Sequence, residues 1–111
     1  MSLPEPTYGT YRPSRIRLVT IPDNTTTSDA FDYGKDAALA IETAGTANYT
    51  IEALSGLSSS WIEVVTGLSA TGNLISLDAD DLAKLYPFRT LRLKVDAAPT
   101  GDLAHAVHCK G

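Results

Sequence analysis

Pro87-Phe88-Arg89-Thr90-Leu91-Arg92-Leu93-Lys94-Val95-Asp96 is the stretch whose reading decides the fold. Leu91, Leu93 and Val95 alternate with Thr90, Arg92, Lys94 and Asp96, a period of two that predicts a strand with one buried and one wet face. A helix would scatter the same apolar residues around its circumference. The segment before it, Asp78 to Tyr86, reads as one or two helical turns stopped by Pro87.

Working outward, Leu74–Leu77 is a short strand that feeds this helical turn, and Leu103–Cys109 is a last strand after the Pro99-Thr100-Gly101 turn. Towards the N-terminus, strands are expected at Trp61–Val65, at Tyr49–Ala53, at Ala37–Thr43 and at Ala30–Tyr33. A further strand, Arg15–Ile21, ends at Pro22-Asp23-Asn24. Thr25–Ser28 is polar with high β propensity and fits an edge or a loop; Thr66–Gly72 is again small and polar. About eight short strands separated by turn signals predict an all-β fold, a single β-sandwich or jelly-roll domain over residues 15–111 with one short helix before the penultimate strand. Strand order is not legible. Residues 2–14 hold three prolines and a glycine and predict an extended N-terminal arm at 1–14. Leu3, Tyr8 and Tyr11 are too apolar for a purely solvated tail, so the arm is expected to lie on its own domain or on a neighbour.

The 111 residues are 43% hydrophobic and 20% charged, enough for one core without staples. One cysteine, Cys109, permits no internal disulfide. Residues 1–20 lack the apolar run of a signal peptide and no stretch approaches a membrane span, so folding in a cytoplasm and no membrane partner are expected. The net charge of −4 is uneven: residues 1–20 sum to +2, residues 21–83 to −9 and residues 84–111 to +3. Such segregation would favour head-to-tail contact between copies, or contact with another charged protein surface; chance with solvation is the plainer reading. Nucleic acid is disfavoured, because the basic residues neither dominate nor interleave with stacking aromatics.

Chemistry is sparse. His105 and His108 point to opposite faces of a strand, and His105 and Cys109, which share one, lie about 13 Å apart, so they read as packed or surface residues and not as zinc ligands. Asp78, Asp80 and Asp81 lack the glycine-bearing spacing of a calcium loop and read as a helix cap. No nucleophile elbow, phosphate loop or dinucleotide fingerprint occurs, and no cofactor is expected. Two N-x-T sequons, at Asn24 and Asn48, read as coincidence in a threonine-rich chain without a signal peptide. Trp61 is either an exposed platform or a core anchor, the core being favoured beside Ile62 and Val64.

A resemblance covers residues 28–109. Ser28-Asp29-Ala30-Phe31-Asp32-Tyr33-Gly34-Lys35 opens it, and Ala38-Leu39-Ala40-Ile41 and Tyr49–Ser55 lead to Trp61-Ile62-Glu63-Val64. The run from Leu77 to Tyr86 then passes into Phe88–Leu93. This order resembles the small β-sandwich structural proteins of tailed bacteriophages and, more loosely, galactose-binding-like sandwiches. The first resemblance implies a non-enzymatic virion component, most plausibly a capsid decoration (cement) or accessory head protein. It would be made in the host cytoplasm and sit as an oligomer on a shell of major capsid protein or another virion protein. Leu3, Tyr8, Tyr11, Arg12 and Arg15 would then contact adjacent subunits. The second implies a sugar-binding module of a tail or baseplate; a neck or tail structural protein with the same fold is a third possibility.

Overall fold

The computed structural model describes residues 15–34, 38–45 and 47–110; the expected arm, with Leu3, Tyr8, Tyr11 and Arg12, lies outside them. Eight strands and one helix occur among the described residues: β1 (Arg15–Ile21), β2 (Phe31–Asp32), β3 (Ala38–Thr43), β4 (Tyr49–Leu54), β5 (Trp61–Leu68), β6 (Leu74–Ser76), α1 (Ala79–Leu85), β7 (Thr90–Val95) and β8 (Leu103–Lys110). They form two four-stranded antiparallel sheets with the orders β1-β8-β3-β6 and β2-β7-β4-β5. Only β4 and β5 are both consecutive in the chain and paired; every other connection crosses between sheets. That interleaving of two Greek keys is a jelly roll.

The period-2 strands deliver their apolar residues to the space between the sheets. In β7 the inward Leu91, Leu93 and Val95 are buried, opposite Ala53, Ile51 and Tyr49 of β4. The first sheet answers with Val19 and Ile21 of β1, Leu39 and Ile41 of β3, Ile75 of β6 and Val107 and Cys109 of β8. Helix α1 contributes Leu85 to this core. Its start is the expected cap: the Asp81 N–H donates to Asp78 Oδ1 at 2.9 Å and the Asp78 N–H donates to Asp81 Oδ2 at 3.4 Å, a reciprocal capping box. These two carboxylates are therefore occupied by the helix terminus.

The polar run before β2 extends the second sheet. The Val95 N–H donates to Thr26 O at 2.8 Å, the Ser28 N–H donates to Leu93 O at 2.9 Å, and the Leu93 N–H donates to Ser28 Oγ. Buried Ser28 thus stands in for a strand residue beside β7. Strand β5 runs on to Leu68, past the expected end at Val65, with Gly67 at φ 72°. Its register against β4 shifts twice: Glu52 faces Glu63, Ile51 faces Val65 and Tyr49 faces Leu68. Val64 is the extra residue of a bulge, and it reverses the parity of the strand. Val65 therefore faces the core while Trp61 and Glu63 face outward. The expectation of a core Trp61 is corrected by this bulge.

Leu93 is fully buried at the centre of the second sheet. Leu93→Ala is expected to cost about 2–5 kcal/mol in denaturant unfolding, as truncation of a close-packed core leucine does. A change near zero would mean the strand faces the other way.

Candidate functional site

Among the described residues, three places carry chemistry beyond core packing. The first is buried and ties the sheets together at one end. The Tyr49 hydroxyl, from the second sheet, lies 2.7 Å from Thr43 Oγ1 and 2.8 Å from His105 Nε2, both from the first sheet. The Tyr49 and His105 rings meet edge to face, with centroids 5.4 Å apart. The Gly45 N–H donates to Thr43 Oγ1, and a Cβ on Gly45 would fall 2.8 Å from the Tyr49 hydroxyl and 2.9 Å from Leu103 Cδ2, so a larger residue there would have to displace the network or Leu103. Burial lowers the His105 pKa below 6.5; the backbones of Val19 and Leu103 oppose the shift, yet neither holds Nδ1 in hydrogen-bond geometry. Burial likewise raises the Tyr49 pKa above 10, opposed by its bond to Thr43. A tyrosine and a neutral histidine closed off from solvent brace the fold.

The second place is the outer face of the second sheet. Buried Glu52 accepts from Arg92 Nε at 2.7 Å, and the Arg92 guanidinium lies over the Trp61 ring, 4.3 Å from its centroid. Beside them Lys94 donates to Glu63 at 3.0 Å. Cross-strand register assembles this set, since Glu52 is opposite both Arg92 and Glu63. Trp61 is half-buried, with one ring face taken by the arginine.

The third place is the outer face of the first sheet, and it is apolar. Ile16 is 62% exposed and Leu18 80% exposed, on the edge strand β1. Register places them beside His108 and Ala106 of β8; Ala104 follows on β8, and Ala38 and Ala40 continue the face on β3. The alanines make it flat. An open groove of about 570 Å³ crosses it, lined by Ile16, Ala38, Ala40 and His108 and bounded by Ala79 and Leu82 of α1. Charge enters at its margins, where His108 Nε2 and Glu42 Oε1 lie 3.0 Å apart and where Lys110, opposite Ala38, and Arg15 border the groove.

Of the residues expected to contact partners, Arg15 alone is described. It opens β1, half-buried, with its guanidinium against Gly34. His105 and Cys109 share the inward face and His108 points out, as the strand alternation requires. Sequence reading missed both the Thr43–Tyr49–His105 network and the outward apolar pair Ile16 and Leu18. The pair had a signal: in Arg15-Ile16-Arg17-Leu18 the apolar residues are out of phase with Val19 and Ile21. Comparison with protein-family models, with curated proteins and with solved structures returns no match at significant similarity.

The buried histidine makes stability depend on pH. On unfolding, the imidazole is free to take a proton at about pH 6.5, which the folded environment resists, so the unfolded state binds more protons as pH falls. Stability is expected to be fully present above about pH 6.5 and to decline below it, before most carboxylates titrate near pH ~4. His105→Gln, which keeps a partner for Tyr49, should flatten thermal unfolding midpoints across that window. Equal slopes in the two proteins would assign the effect elsewhere.

Proposed function

We propose that the protein is a non-enzymatic virion structural protein of the capsid decoration type, an oligomer that docks on a shell of major capsid protein and stabilises it. The observation that carries this reading is the outer face of the first sheet. Two large aliphatic side chains stand almost bare on a flat, alanine-floored sheet face. Contiguous apolar surface of this kind marks a protein contact. The face begins at the first residues of β1, directly after the proline-rich stretch 1–14, so an arm carrying Leu3, Tyr8, Tyr11 and Arg12 would enter the same contact. A jelly roll agrees with the reading, being used by viral capsid and lectin domains, although a fold alone assigns no function.

The sugar-binding alternative has one observation in its favour, the solvent-side position of Trp61. Arg92 counts against it, because the guanidinium occupies a ring face on which a sugar would stack. A neck or tail protein of the same fold would use the same apolar face, and the test below separates it by the shell it binds.

The test is sedimentation of the purified protein with capsid shells of the virus that encodes it, together with mass spectrometry of purified virions. The wild-type chain is expected to pellet with shells and to be present in virions; its absence from virions would overturn the reading. Ile16→Ser with Leu18→Ser should abolish attachment while changing stability by no more than about 0.5 kcal/mol, because both side chains are already exposed. Deleting residues 2–14 should weaken attachment and leave the sandwich folded, checked by circular dichroism.

A further inference from the structure

We propose that residues 7–12 of a second copy of the chain add as a strand to the free edge of β1, with Tyr8 lying over Ile16 and Leu18. The inference rests on the reading of the protein as an oligomer that uses this face, and it names the occupant of the β1 edge.

The edge is open at the same two residues whose side chains are bare. Thr20 O accepts the Asp29 N–H at 3.3 Å, so the Thr20 carbonyl points away from β8. Hydrogen-bonding direction alternates along an antiparallel strand, and Leu18 and Ile16 therefore also turn their N–H and C=O away from β8. Asp29 caps Thr20, but among the described residues nothing bonds the backbone of Ile16 or Leu18 on that side. An open groove of about 380 Å³ runs there, between residues 17–19 and 29–32. A helix or a folded surface would cover the side chains alone. An added strand satisfies the backbone as well.

The occupant follows from charge and from the chain that leads into β1. Two copies of β1, paired so that Ile16 and Leu18 bond each other, would set Arg17 opposite Arg17, a like-charge pair. Before β1, prolines at 4, 6 and 13 leave Thr7-Tyr8-Gly9-Thr10-Tyr11-Arg12 as the longest run with every backbone donor intact, and it is rich in β-prone residues. With Tyr8 and Thr10 on the Ile16 side, the residues turned towards Arg17 are Thr7, Gly9 and Tyr11, none of them charged.

Pro13 keeps this run from its own strand. A two-residue hairpin loop needs a positive φ at Pro13, whose ring holds φ near about −65°. A three-residue loop puts Pro13 second in the turn and forces Arg12 out of the helical region that the turn requires. A four-residue loop sets Gly9 beside Ile16 and Thr7 beside Leu18, which covers neither. The run therefore reaches a neighbour's edge, and because Pro13 and Ser14 span only about 10 Å, the exchanging copies sit side by side.

The experiment is size-exclusion chromatography with light scattering on the full chain and two proline variants. The wild-type chain is expected to be a defined oligomer. In Leu18→Pro the lost donor faces away from β8, so the ladder with β8 stays whole and a folded monomer is expected. Thr10→Pro removes a donor from the added strand without touching the sandwich, should give a monomer too, and carries the test should Leu18→Pro fold poorly. The second arm is cross-linking of Thr10→Cys with Ile16→Cys by a short bis-maleimide, the native Cys109 being buried; covalent oligomers are expected on a denaturing gel. A monomeric wild-type chain, an oligomer unchanged by both prolines, or cross-links confined within one chain would overturn the exchange. Covalent dimers from Ile16→Cys alone would overturn residues 7–12 as the occupant in favour of β1 against β1. No shells are present, so a monomer here that still pellets with shells sinks the exchange and leaves the docking reading standing.

Discussion

The register of β7 against β4 is the constraint on which the rest of the structure depends. Leu93 opposite Ile51, with Leu91 opposite Ala53 and Val95 opposite Tyr49, places the large apolar side chains of these strands between the sheets, Leu54 at the end of β4 excepted. A slip by one residue would turn Arg92 and Lys94 into the core and Leu93 into water. The same register, read on the other face, sets Arg92 opposite Glu52. Glu52 can therefore be buried without an uncompensated charge, because its partner arrives with the strand. Trp61 then covers the guanidinium from β5. One pairing fixes both the hydrophobic interior and the polar exterior of this sheet.

The two ends of the sandwich are built differently. At the end holding Ile21, Leu103 and Val95, the Thr43–Tyr49–His105 network crosses from one sheet to the other. The turns there are laced by the Asp23 N–H donating to Asp102 Oδ1 and the Gly101 N–H donating to Asp23 Oδ1. Hydrogen bonds in a water-poor interior specify geometry more sharply than apolar contact does, since an unmade bond there is expensive. At the Arg15 end the inter-sheet space opens as a cleft, lined by Arg15, Arg17, Arg89 and Asp32. Among the described residues, one end is braced by buried hydrogen bonds and the other opens as a polar cleft.

The fold was legible because its strands obey their own period. Arg15–Ile21 ends where the Pro22-Asp23-Asn24 turn signal stops it, and Thr90–Val95 and α1 differ from expectation only at their termini. The capping box was legible for the same local reason, being a short-range pattern of acids before an apolar run. Strand order was not, since it depends on which edges meet in space. Trp61 was misplaced because the bulge at Val64 changes parity without any glycine or proline to announce it. The Tyr49–His105 contact joins residues 56 apart, and no local pattern encodes it. Of the candidate contacts, the arm residues lie outside the described part of the chain, and Ile16 and Leu18 escaped notice because an apolar residue in a strand is read by default as core.

That default is what β1 violates, and the violation falls on one half of the strand. If Ile16 and Leu18 served the core, Arg15 and Arg17 would be on the wet face and β1 would be an ordinary amphipathic edge. The pairing with β8 forbids this: Val19 opposite His105 and Ile21 opposite Leu103 fix the inward parity, and Arg17 opposite Val107 inherits it. The chain has no bulge in β1 to restore the usual phase, whereas β5 has one. Two large aliphatic side chains in water are unfavourable for an isolated domain, and so is the buried Arg17 Nε, which has no hydrogen-bond partner. Local choices that conflict with the stability of the free molecule are expected at functional sites, where a partner resolves them. On the proposed docking role, a partner that covers Ile16 and Leu18 removes this exposure.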